Sequence, residues 1–168
     1  MRRVKTGLVG PFRGFERATG PLFTKKRTTG QISGKKRRSR SELAKLKDRL
    51  WELCKQITRK QYGNKCYTCP ATDLVGSNWH TGHFITDSTC STELSYDLAN
   101  LRPQCYSCNI HKSGNTLVFR RRLMQEIDKD FPDLLEQRNE ETKGLQYDII
   151  WYREKVEELT ALLTSLGE

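Results

Sequence analysis

Apolar residues recur at helical spacing in two regions of the chain, one on each side of a middle segment without long periodic runs. In the first region, Ser39 followed three residues later by Glu42 is typical of a capping box, and the spacing predicts a helix over about 41–60. Cys54 lies beside the apolar positions and is expected to be a buried packing residue. These positions are Leu43, Leu46, Leu50, Leu53 and Ile57.

The second region follows Gly114-Asn115. Its spacing predicts one helix that stops near Phe131-Pro132, because proline cannot continue a helix from its interior, and then a short helix around Leu134. The last segment carries a heptad-like stripe, for which packing against the first helix is preferred and dimerisation is the alternative. The stripe consists of Ile149, Tyr152, Val156, Leu159, Leu163 and Leu166.

The middle segment is rich in turn formers and predicts short strands around 78–86 and 93–97. We therefore expect an α+β fold, in which a small core lies between N- and C-terminal helices. The division of the chain is expected to be a tail over 1–40 and one folded domain over 41–168.

Positive charge is concentrated in the predicted tail. Residues 1–40 hold thirteen basic residues and one acid, Glu16, whereas the remainder of the chain is nearly neutral. Such a segment cannot bury enough apolar surface to offset its chain entropy, so we expect an extended tail that binds a polyanion such as DNA. A role in solubility alone fits this charge density less well, and contact with RNA or another protein stays open.

The chain lacks an apolar run of about 20 residues and the apolar segment of a signal peptide. We therefore expect a protein of the cytoplasm, with no membrane partner.

Two Cys-x-x-Cys pairs bracket the middle segment. Each pair presents two thiolates to one metal, and zinc prefers four tetrahedral ligands, so the pairs predict a structural zinc site. A redox pair or an iron–sulfur cluster has less support, because neither pair has a redox-type strand and helix around it. The predicted ligands are Cys66, Cys69, Cys105 and Cys108.

Between and after these pairs come Gly82-His83-Phe84, Asn100-Leu101 and Cys108-Asn109. This order resembles the HNH, or His-Me finger, nuclease motif on a treble-clef zinc scaffold, a ββα-metal core. The resemblance implies that His83 is the general base, that Asn100 pins the loop around it, and that Asn109 ligates a catalytic cation.

The residue types fit that chemistry without the family name. Phosphodiester hydrolysis needs a deprotonated water and a cation that neutralises charge on the leaving oxygen. An imidazole titrates near neutral pH and accepts the proton, and an amide oxygen suits Mg²⁺ or Mn²⁺.

One position departs from the common HNH pattern. Many HNH enzymes place an aspartate directly before the histidine as a second metal ligand, and this chain has Gly82 there. The candidates for the second ligand are His80, Ser113 and Asn115.

The wider order of motifs, ending in Ser113-Gly114-Asn115 and a helical C-terminus, resembles the NinG (Rap) family of lambdoid phages over about 41–165. The resemblance implies a phage recombination endonuclease that cuts branched DNA, such as Holliday junctions and D-loops, in the cytoplasm of a bacterial host. Because resolving a junction takes two symmetric cuts, a homodimer would be expected.

Basic residues near these motifs are candidates for phosphate contacts, although a solvated surface is as good a reading for any one of them. We expect recognition of DNA shape, since no pattern that reads base edges is evident. The candidates are Lys35, Lys36, Arg37, Arg38, Arg102, Lys112, Arg120, Arg121 and Arg122.

Two other functions remain open at this point. One is a zinc-stabilised nucleic-acid-binding protein without catalysis, which would have no need for both His83 and Asn109. The other is a site-specific homing or restriction nuclease, which would cut a fixed sequence in linear duplex.

Overall fold

The computed structural model describes residues 40–167, which fold as a mostly helical α+β unit with a two-stranded sheet. The predicted tail lies outside the described residues except for Arg40. The same holds for four of the predicted DNA-binding residues, which are Lys35, Lys36, Arg37 and Arg38.

The first and last helices pack against each other, as the apolar stripes predicted. Helix α1 spans Glu42–Tyr62 and helix α5 spans Ile149–Ser165. Ser41 caps α1, since its Oγ accepts a hydrogen bond from the Ala44 N–H at 3.3 Å. Ser39 of the predicted capping box lies outside the described residues. Cys54 is fully buried in their shared core, as predicted. The buried residues of this core are Leu50, Leu53, Cys54, Ile57, Leu101, Tyr152 and Leu159.

The sheet pairs strand β1, Trp79–His83, with strand β2, Leu101–Cys105, in antiparallel register. The predicted first strand is confirmed, but the prediction of a strand over 93–97 is wrong. That segment forms the short helix α2, Thr92–Ser95, because the Ser91 hydroxyl accepts the Leu94 N–H and caps it. All five residues of β2 are buried, so its sequence shows no alternation that would have revealed a strand.

Two helices follow the second cysteine pair. Helix α3 spans Thr116–Glu126 and helix α4 spans Phe131–Thr142. The prediction that Phe131-Pro132 end a helix is wrong, since these residues begin α4. Proline is well tolerated in a first helical turn, where its missing N–H would have no partner anyway.

Short turns connect these elements and shape the site. A π-helical turn over Ser107–His111 follows β2, and a 3₁₀ turn over Ser113–Asn115 precedes α3. Gly114 has φ +81°, a backbone conformation that residues other than glycine rarely adopt.

Three apolar clusters surround the sheet, one between α1 and α5, one around the four cysteines, and one where Phe84 meets α3 and α4. Within residues 40–167, no helix combines the length and the apolar character needed to span a bilayer.

Candidate functional site

The four cysteines of the two Cys-x-x-Cys pairs lie together at one end of the sheet. Their sulfur atoms all lie within 4.8 Å of one another, and Cys69 Sγ is 3.7 Å from Cys105 Sγ. Four sulfurs bound tetrahedrally to zinc at about 2.3 Å would be about 3.8 Å apart. The cluster therefore fits a zinc ion, which Cys66, Cys69, Cys105 and Cys108 would hold with no position left for a substrate.

Backbone N–H groups point at two of these sulfurs. The Cys105 N–H donates to Cys66 Sγ at 3.3 Å, and the Cys108 N–H donates to Cys105 Sγ at 3.4 Å. Such bonds favour thiolates, the form that binds metal. The cluster also joins the loop after α1 to the end of β2, so it fixes one end of the sheet.

His83 is the last residue of β1. Its Nε2 lies 3.1 Å from the Ser95 carbonyl oxygen, which can only accept a hydrogen bond, so Nε2 carries the proton. In the neutral ring, Nδ1 is then the nitrogen that can accept a proton. Burial lowers the pKa of His83 below its usual value, outweighing the Ser95 hydrogen bond and the Asp87 charge, which raise it. The neutral, proton-accepting form is therefore favoured near neutral pH.

Asn100 fixes the loop that follows His83. The residue is fully buried, and its Oδ1 accepts the Ile85 N–H at 2.8 Å. Its Nδ2 donates to the carbonyl oxygens of Ile85 at 3.3 Å and Leu94 at 3.2 Å. These bonds join the loop after β1 to α2 and to the residue that precedes β2.

His83 faces a cavity of about 940 Å³. Three other residues proposed from the sequence line the same cavity, namely His80, Asn109 and Ser113. The π-helical turn carries Asn109, and the tight turn at Gly114 carries Ser113. The structure thus brings imidazoles, an amide and a hydroxyl to one cavity from segments that are up to 33 residues apart in sequence.

Helix α1 forms another wall of this cavity, which the sequence analysis missed. Its lining residues there are Lys47, Asp48, Trp51 and Lys55. The basic face of α1 was visible in the sequence, but no signal showed that it would face His83. Asp87, from the loop after β1, also lines the cavity.

Gln104 explains why position 82 is glycine. A Cβ added at Gly82 would collide with Gln104 Oε1 and would lie 2.7 Å from Gln104 Cδ. Gln104 is fully buried, and its Nε2 donates to Thr68 Oγ1 at 3.0 Å and to the Gly114 carbonyl oxygen at 2.6 Å. These two hydrogen bonds fix the Gln104 amide in the space that a side chain at position 82 would need. While Gln104 keeps this conformation, position 82 cannot supply a cation ligand.

Two residues proposed from the sequence have structural partners instead. Asn115 Nδ2 donates to the Thr68 carbonyl oxygen at 3.1 Å and lies beside Cys108 Sγ, away from the cavity, so its proposal as a cation ligand is corrected. Arg102 is 2% exposed and pairs with Glu126 at 3.1 Å, so its proposal as a DNA contact is corrected as well. Burial of its long side chain is possible because carbonyl oxygens and two tyrosine rings surround the guanidinium.

The other basic residues proposed as phosphate contacts differ in whether their charge is already paired. The guanidinium of Arg120 pairs with Asp133 and with Glu136, so both its ends are already bound to α4. Lys112, Arg121 and Arg122 are exposed.

A profile of the family described as "Bacteriophage Lambda NinG protein" matches residues 19–165, which is most of the chain. The chain belongs to the NinG family. Among curated relatives, protein ninG of Escherichia phage 933W is 34% identical over 71 residues, which cover 42% of this chain and 34% of the relative. Protein ninG of Escherichia phage lambda is 29% identical over 101 residues, covering 56% and 47% respectively.

Protein ninG of Salmonella phage P22 is 36% identical over 62 residues, which cover 37% of this chain and 29% of the relative. The matches to these NinG relatives therefore span about a third to a half of their length. No solved structure matches the chain.

Proposed function

We propose that this NinG family member is a metal-dependent DNA endonuclease of the HNH type that acts on branched recombination intermediates. The observation that carries the proposal is the placement of His83, whose Nδ1 is the proton-accepting nitrogen, in one cavity with Asn109, His80 and Ser113. A protein that only bound nucleic acid would need neither a half-buried imidazole in one fixed tautomer nor an amide in the same cavity.

In the proposed reaction, His83 Nδ1 accepts a proton from the water that attacks phosphorus, and the bond from phosphorus to the leaving oxygen breaks. A Mg²⁺ or Mn²⁺ ion would supply charge neutralisation at the leaving oxygen. Asn109 would hold this ion through its amide oxygen, with His80 or Ser113 as the second ligand, since Gln104 excludes one from position 82. Ser95 keeps the proton on Nε2, and Asn100 keeps the loop in place.

The cysteine cluster supports the same reading. Its four ligands would saturate a zinc ion, which would hold the scaffold and take no part in the reaction. The basic residues of the tail and Lys112, Arg121 and Arg122 would contribute contacts to DNA phosphates. The substrate class, a four-way junction or D-loop, is proposed from family resemblance. A homodimer would make the two symmetric cuts that resolve a junction.

The test is cleavage of a four-way junction and of a matched linear duplex by the full chain with Mg²⁺ or Mn²⁺. We expect cutting of the junction, and a His83→Ala rate about 10²- to 10⁴-fold lower, the usual contribution of general base catalysis. His111→Ala is the matched control, because His111 is exposed and does not line the cavity.

Equal cutting by His83→Ala and the wild-type chain would show that the assigned mechanism is wrong. Binding of the junction without cutting under several divalent cations would instead favour the non-catalytic binder. A fixed cut sequence in linear duplex would indicate a site-specific nuclease.

A further inference from the structure

Helix α1 presents a basic–aromatic–basic stripe to the cavity of His83. Lys47, Trp51 and Lys55 all line the cavity, and they are four residues apart, so they lie one above the other on a single face of the helix. None of the three was assigned a role by the sequence motifs, which all fall between Cys66 and Asn115.

The central residue of the stripe contacts the proposed base directly. The rings of Trp51 and His83 are parallel to within 5°, with centroids 5.3 Å apart. Together with the hydrogen bond from Nε2 to the Ser95 oxygen, this stacking fixes the imidazole both in its plane and against rotation about that bond. Trp51 is therefore placed to act as a positioning residue.

The two lysines flank that contact. Eight residues of helix separate their Cα atoms by about 12 Å, enough for each ammonium to meet a different phosphate of one strand. Lys47 is exposed, its Nζ lies 5.2 Å from the centroid of the Tyr152 ring, and among residues 40–167 it has no carboxylate partner. Lys55 pairs with Glu52 on its own helix, a surface ion pair of a kind that contributes little.

Two acidic residues, Asp48 and Asp87, lie near the positive charge of the stripe. Asp48, which also lines the cavity, pairs with Arg40. Asp87, on the loop after β1, also lines the cavity, and its charge acts on His83.

We propose that α1 is the strand-binding wall of this site, with Lys47 and Lys55 each binding one backbone phosphate on either side of the phosphate presented to His83, and Trp51 fixing the imidazole between them. The inference rests on the proposed function in one respect, namely that the polyanion in the cavity is DNA. It adds the path of the strand along α1.

The wall is tested by binding of the full chain to a four-way junction without added Mg²⁺ or Mn²⁺, so that cutting does not intervene. We expect Lys47→Ala and Lys55→Ala each to reduce the slope of log K against log salt by about 0.7 to 0.9, the loss of one phosphate contact. Lys45→Ala is the matched control, because Lys45 is exposed on the same helix but does not line the cavity. Equal slopes of log K against log salt for all three variants would contradict the proposal that α1 binds the DNA strand.

Trp51 is tested separately. We expect Trp51→Ala to lower the single-turnover cutting rate at unchanged DNA affinity, and Trp51→Phe to recover most of that rate. A structural readout that needs no DNA is the ring-current shift of the His83 ring protons, which Trp51→Ala should abolish. Persistence of that shift in Trp51→Ala would contradict the stacking, and equal cutting by the two variants would contradict the positioning role.

The two proposals can fail independently. If the wild-type chain cuts nothing, the endonuclease is contradicted, whereas the salt slopes still decide whether a strand lies along α1. If it cuts normally while Lys47→Ala and Lys55→Ala match Lys45→Ala, only the wall is contradicted.

Discussion

At the scale of single residues, His83 and the loop after it are held by contacts that come from three different segments. Ser95 accepts its Nε2 proton, Trp51 stacks on its ring, and Asn100 fixes the chain just after it. Asn100 can do this only because it is an amide, since its buried side chain accepts one N–H and donates to two carbonyl oxygens. An imidazole held in this way needs little reorganisation before it takes a proton.

In the proposed mechanism, the pH dependence of cutting would follow from the burial of His83. Because burial lowers its pKa below 6.5, the imidazole loses its proton at lower pH than a free histidine does. The cutting rate should therefore rise with pH, level off above the pKa, and show an acid limb with a midpoint below about 6.5. The measurement is the single-turnover rate at pH values between about 4.5 and about 8, in steps of about half a pH unit.

Asp87→Asn provides the matched comparison for this profile. The Asp87 carboxylate raises the pKa of His83, so its removal should move the acid limb to still lower pH. An acid limb centred above 6.5, or one that moves to higher pH in Asp87→Asn, would contradict the assignment of His83 as the base.

At the scale of elements, the β1–β2 ladder carries the proposed base, His83, and shows why position 82 holds glycine where many HNH enzymes have an aspartate. Gly82 lies opposite Arg102 in the ladder, and Gln104 fills the space that a side chain at 82 would use. Gln104 also ties the ladder to the turn at Gly114 and to Thr68 in the first cysteine loop. The buried Gln104 amide thus connects the first cysteine loop to the turn at Gly114, which lines the cavity.

Gly82→Ala tests this packing. Alanine normally strengthens a strand relative to glycine, but here its Cβ would collide with Gln104, so we expect a loss of about 1–3 kcal/mol in the free energy of unfolding. Urea unfolding measures it. In a Gln104→Ala background the collision is absent, and the further cost of Gly82→Ala should largely disappear. Additive effects of the two substitutions would show that Gln104 does not determine the residue at 82.

At the scale of the whole molecule, the cysteine cluster closes one end of the two-stranded sheet that residues 40–167 form. Leu74 and Trp79 pack on the four cysteines, and the other apolar clusters lie on α1 with α5 and on α3 with α4. Metal binding would therefore stabilise the sheet that carries His83 more than it stabilises the helical pair.

Removal of zinc should destabilise the β1–β2 sheet more than the pair of helices α1 and α5. We expect one zinc per chain by atomic absorption, and after chelation a loss of amide protection in β1 and β2 with α1 and α5 retaining more of their helical signal. Cys108→Ser should reproduce the effect of chelation. Cys90→Ser should not, since Cys90 lies outside the cluster. Full zinc content in Cys108→Ser would show that the cluster is not the zinc site.

The sequence by itself determined the parts whose signal is local. Cys-x-x-Cys spacing indicated the cluster, and helical periodicity indicated α1 and α5 and their packing. Motif order proposed His83, Asn100 and Asn109 as site residues, and His83 and Asn109 line one cavity. Tertiary structure alone decided which face of α1 meets His83, that Arg102 is buried against Glu126, and that Gln104 occupies the space beside Gly82. These contacts join residues far apart in the chain, and no spacing rule records them, because they depend on how separate elements pack.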